Sequence, residues 1–89
     1  MSTNTLGKTE KFQIAVIEGG WVLVGDCLEI GGDLVSIMNA KCIRRWGTTK
    51  GLGQIAESGP TSSTVLDPVG EVLVPKKSIR FLITCKSRF

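Results

Sequence analysis

No histidine and no tyrosine occur among the 89 residues. Without histidine there is no side chain whose ordinary pKa lies near neutrality, and no Ser–His or Cys–His nucleophile pair. Most routes to hydrolytic or acid–base catalysis are closed, and a non-enzymatic protein without a cofactor is expected. Cysteine is limited to Cys27, Cys42 and Cys85, an odd number, widely spaced and with no C-x-x-C pair, so a zinc site has no ligand set. Each lies in an apolar run, where a free thiol packs as a small hydrophobe. Reduced core cysteines, as in a cytosolic protein, are the expectation. No uncharged apolar run approaches the ~18 residues of a membrane helix. Residues 1–10 are polar where a signal peptide would be apolar. A soluble intracellular protein without membrane contact is therefore expected.

The chain does carry a core: 42% of its residues are hydrophobic. At this length a single domain buries only ~60–65% of its unfolded surface and is marginal alone, a condition that oligomerisation commonly remedies. Eleven Lys and Arg stand against eight Asp and Glu, a net charge of +3. That balance favours phosphate-bearing partners without requiring nucleic acid. Eleven glycines exceed the usual ~7% share, so the chain must turn often.

Residues 1–10 read as a flexible polar arm and residues 11–89 as one small β-barrel domain. From Lys11 to Glu18 both alternating sets, Phe12, Ile14, Val16 and Gln13, Ala15, Ile17, are fairly apolar, as in a closed or two-sided sheet. Gly19-Gly20 and Gly31-Gly32-Asp33 mark hairpins around a strand from Trp21 to Ile30, with a bend expected at Gly25. A third strand from Leu34 to Trp46 is expected to bulge at Asn39-Ala40. In the Gly/Ser/Thr/Pro-rich stretch that follows, Leu52, Ile55 and Ala56 at i, i+3, i+4 before Gly59-Pro60 predict a short helix. Asp67-Pro68 reads as a turn opening a fourth strand, Val69 to Val74. A fifth runs from Ile79 to Cys85, with Ile79, Phe81, Ile83 and Cys85 on one face. The sum is an all-β, five-stranded small barrel with a long, helix-bearing loop between strands three and four.

The stretches GGWVLVGDCLEIGGDLVSIMNA and EVLVPKKSIRFLIT resemble the pattern of Sm-like and SH3-like small barrels; an OB-like barrel has the same texture. The usual N-terminal helix of Sm-like proteins has no counterpart here, and the loop after strand three is unusually long. The likeness implies a ring in which the fourth strand of one subunit pairs with the fifth of the next. A second, closer resemblance is to small proteins encoded by phages and prophages. It rests on GWVLVGD, on IRRWGTTKGLG over residues 43–53, and on the following SGPTSSTVLD. It implies a viral source and a setting in the cytoplasm of an infected or lysogenic bacterium.

Chemistry concentrates in Arg44, Arg45, Trp46, Thr48, Thr49, Lys50 and Gly51. Guanidinium forks bind phosphate, an indole offers a stacking face, and threonine hydroxyls with glycine-bared amides cradle phosphate oxygens. Thr48 or Thr49 capping the helix would aim its free amides at the same place. GTTKGLG lacks the order of a Walker loop, so triphosphate hydrolysis is unsupported. A structural reading stands beside this one: Arg44 and Arg45 ending a strand on opposite faces, one solvated and one salt-bridged, with Trp46 an anchor. Trp21 reads as core or subunit interface, and Ser62, Ser63 and Thr64 as loop filler. Asp26, Glu29 and Asp33 read as exposed turn carboxylates. Lys76, Lys77, Arg80, Lys86 and Arg88 form a solvated basic end or a phosphate-attracting one. The expected partners are further copies of the chain and a nucleotide or cyclic nucleotide. The expected function is sequestration of a host defence signalling nucleotide, with an RNA- or DNA-binding ring or a phage assembly protein as alternatives.

Overall fold

The computed structural model describes residues 10–89. The expected arm over residues 1–10 lies, apart from Glu10, outside the described residues. The elements are β1 (Lys11–Ile17), β2 (Trp21–Gly31), β3 (Leu34–Arg45), α1 (Leu52–Ser58), β4 (Val65–Pro75) and β5 (Ile79–Thr84), with a 3-10 turn at Lys76–Ser78. All five strands form one antiparallel sheet in the order β4-β3-β2-β1-β5, a small all-β barrel-like fold with its one described α-helix in the β3–β4 connection.

The two-sided alternation of β1 has its counterpart in two cores. Ala15 and Ile17 join Leu23, Cys27, Val35, Ile37, Ala40 and Val74, with Ile79 packed alongside. All five strands thus reach one cluster although β4 and β5 are not bonded to each other, which requires the sheet to curl around it. Ile14 goes the other way, to Val22, Val24 and Ile43, where Leu52, Ile55 and Ala56 of α1 cover the sheet. That second layer explains why so few β1 positions are polar. Phe89 closes its rim, its ring edge-on to Phe12 at 5.1 Å.

Curling is built in at two places. The β2–β3 register shifts between Val24 and Asp26, and a side chain on Gly25 would begin 2.8 Å from Ile37 Cγ2 and from the Met38 carbonyl oxygen. Opposite, Asn39 takes a positive φ of 53° where the β3–β4 register also shifts. Both expected irregularities are therefore present.

Three expectations give way. β4 begins at Val65, so Asp67 and Pro68 lie inside the strand, opposite Cys42 and Lys41. An edge strand tolerates a proline whose missing N–H faces away from the ladder. The single apolar face expected for β5 is split by a register shift opposite Val16 and Ile17. Ile79 therefore joins the inner cluster while Ile83 and Cys85 join the outer one, and Phe81 stays 52% exposed. Asp26 is buried beneath Arg88, which donates to its carboxylate and lies over the Phe12 ring at 5.5 Å. It is no exposed turn carboxylate, because the C-terminal segment folds back across β1 and β2: the Cys85 N–H donates to the Phe12 carbonyl at 3.0 Å.

Candidate functional site

The segment from Arg44 to Gly51 leaves the end of β3 and enters α1. Arg44 donates to Asp67 Oδ2 at 2.8 Å, a bond that raises its already high pKa. Arg45, the last residue of β3, pairs with Val65 through its backbone, while its exposed side chain makes no hydrogen bond or ion pair among the described residues. Trp46 is 44% exposed, and its ring passes 3.7 Å from the point where a Gly51 side chain would begin.

Threonines from the 61–64 turn hold this segment in place. Thr64 Oγ1 donates to the Trp46 carbonyl and Thr61 Oγ1 to the Gly47 carbonyl, each at 2.7 Å. Gly47 has φ 63°, and a side chain there would begin 2.4 Å from the Ser63 carbonyl carbon. Of the residues expected to be loop filler, Thr64 forms one half of this clamp, and Thr61 forms the other.

The expected helix cap is absent. Gly51 occupies the N-cap position and no side chain caps α1. Thr48 Oγ1 instead donates to the Gly51 carbonyl at 3.0 Å. Gln54 Oε1 accepts from the Thr49 N–H and hydroxyl, both at 3.2 Å, and from the Lys50 N–H at 3.0 Å. These amides therefore already have an acceptor. Gln54 was legible as the third helical position, from which a glutamine reaches back over the helix start.

Thr49, Lys50 and Gln54 line a shallow depression of about 540 Å³ with Gly53, Glu57 and Ser58; Arg44, Arg45 and Trp46 are not part of it. The structure thus brings Trp46 to Gly51, and Thr49 and Lys50 to Gln54, while Arg44 turns toward β4. Two unpaired cations, Arg45 and Lys50, and one half-exposed indole are what the segment offers to a partner.

Two further concavities escaped sequence reasoning because their walls come from distant strands. One, of about 450 Å³, lies between β1, β2 and β5 beside the 3-10 turn and includes Lys11, Gln13, Glu29 and Lys76. The other, of about 310 Å³, has a wholly apolar lining of Leu23, Cys42 and three β4 valines, with Trp21 among its walls. At 62% exposure Trp21 is not a core residue. The basic C-terminal end is largely neutralised: Lys76 pairs with Glu29, Lys86 with Glu57 at 3.0 Å, and Arg88 with Asp26. Burial, with Asp26 second, pushes the Cys27 thiol up to about 11, so it is protonated at neutral pH.

Among the described residues, no three His, Cys, Asp or Glu side chains cluster so as to hold a metal, and no helix is long and apolar enough to cross a membrane. No family model, curated protein or solved structure matches the chain.

Proposed function

We propose that this protein is a non-enzymatic binding module that works as a homo-oligomer and captures a phosphate-bearing nucleotide. The observation that carries the ligand class is the Arg45–Lys50 segment. Its two unpaired cations and half-exposed indole stand on a loop fixed by Thr61, Thr64 and Gln54. A preordered loop loses little entropy on binding; a guanidinium and an ammonium suit a phosphate, and an indole suits a base. Assembly is supported by the sheet order, which leaves β4 and β5 as unpaired edges carrying exposed Val69, Leu73, Phe81 and Leu82. Apolar strands with free backbone groups pair with further strands. The likeness to phage-encoded proteins supports, as part of this reading, an action in the cytoplasm of an infected bacterium, where the protein removes a host signalling nucleotide from circulation.

Thermal unfolding across mono-, di- and cyclic nucleotides tests the reading. A true ligand raises the midpoint by the equivalent of RT ln(1 + [L]/Kd), and Arg45→Ala with Lys50→Ala removes that rise while leaving the unliganded midpoint within ~2 °C. No shift with any nucleotide sinks the proposal. A shift confined to oligonucleotides, growing with strand length and collapsing with salt, replaces it with a nucleic-acid-binding ring.

A further inference from the structure

The cleft between β1, β2 and β5 has the composition of a small-molecule site that the Trp46 loop does not share. Its volume, about 450 Å³, falls within the range of roughly 300–1,000 Å³ typical of such sites. Its walls are strands and the 3-10 turn, and that turn is pinned to the β2–β3 hairpin by the Lys76 N–H donating to the Asp33 carbonyl at 2.7 Å. One side is apolar: Val35 and Ile79 belong to or pack on the inner core, and Phe81 presents a ring that is 52% exposed. The other side is polar. Glu29 neutralises Lys76, whereas Lys11 makes no ion pair among the described residues, so one positive charge stays uncompensated. Gln13 Nε2 donates to Thr84 Oγ1 at 3.1 Å, which leaves its Oε1 to accept from a ligand.

We infer that this cleft is a second binding site, for a planar ring bearing a single negative charge, with the ring against Phe81 and the charge at Lys11. A phosphodiester such as a cyclic nucleotide and an aromatic carboxylate share that chemistry. A phosphate monoester, carrying close to two charges, meets Glu29 and, among the described lining residues, Lys11 as the one cation without an ion pair. The protonated Cys27 thiol adds apolar wall and no nucleophile, so capture is noncovalent.

The test is a methyl-resonance titration of the full chain with 3′,5′-cyclic AMP and, separately, with indole-3-carboxylate, using adenosine and adenosine 5′-monophosphate as controls. Saturable shifts at Leu28, Val35, Ile79 and Leu82 are expected with at least one of the two monoanions. That ligand binds at least fivefold more weakly to Lys11→Ala, and unchanged to the Arg45→Ala/Lys50→Ala protein. The second comparison separates this cleft from the loop proposed above. Which monoanion binds identifies the source. Silence of those methyls with both, equal binding of adenosine, or indifference to Lys11→Ala would overturn the inference. Lys11 is exposed, so its replacement leaves the fold intact, and the unperturbed spectrum of the variant checks this.

Discussion

Gly47 concentrates more constraint than any charged residue around it. Its left-handed backbone and the Ser63 carbonyl at the position of a side chain act together. Gly47→Ala is expected to cost roughly 2–4 kcal/mol, a fall of about 10 °C or more in Tm. Gly32 shares the positive φ but faces open space, so Gly32→Ala should cost only about 1 kcal/mol. Calorimetry of the two variants separates steric conflict from backbone preference. Cys27 makes a second residue-scale prediction. Its thiol ionises near 9.0 ordinarily and near 11 when buried in the fold. Below the lower value both states hold the proton; above it the unfolded state releases it first. Stability is therefore flat to about pH 8.5 and then falls as pH rises toward 11, by at most roughly 2–3 kcal/mol from this group. Urea melts across that range should show the decline, and Cys27→Ala should make it shallower. A native protein as stable at pH 10.5 as at pH 8 contradicts the assignment.

At the scale of elements, α1 is a cover held at both ends. Its apolar stripe closes the outer core, the Gly59 N–H donates to the Ile55 carbonyl at 2.8 Å, and the Lys86 N–H donates to the Ala56 carbonyl at 2.9 Å. Its start is tied to the preceding loop through the Gln54 side chain and through the Thr48 hydroxyl on the Gly51 carbonyl. Gln54→Ala should lose less than ~1 kcal/mol, because water replaces exposed bonds. Amide exchange at Thr49 and Lys50 should nonetheless accelerate by about tenfold or more as their acceptor is lost. Gln54→Glu, which keeps an acceptor, should preserve protection. Unchanged exchange in Gln54→Ala would mean the loop is ordered by other contacts.

The whole molecule is a sheet with two unlike edges. Pairing β4 of one copy with β5 of the next is head-to-tail, so each copy needs both edges to grow a closed ring. Wild-type protein is expected to sediment well above its 9.6 kDa chain mass. Leu73→Lys on β4 and Phe81→Lys on β5 should each give monomers of near-native stability, since both side chains are half exposed. Mixed together, they retain one intact β4 and one intact β5 and should form a heterodimer that grows no further. A wild-type monomer, or a Phe81→Lys protein that still dimerises with itself, rules out this mode of assembly.

Local chemistry determined what can be read in a window of a few residues. The doubly apolar alternation of β1, the bends at Gly25 and Asn39, and the Leu52–Ile55–Ala56 stripe with its terminal glycine are all short-range signals, and they yield an all-β fold with one inserted helix. Tertiary structure decided everything that depends on residues far apart in the chain. Asp26 is buried because Arg88, 62 positions later, folds over it. Phe81 is exposed because a register shift against β1 turns it from the core. The Lys11–Lys76 cleft exists because β1 pairs with β5, more than sixty positions along the chain. Periodicity reports which side of its own strand a residue takes, whereas long-range pairing sets what stands opposite it.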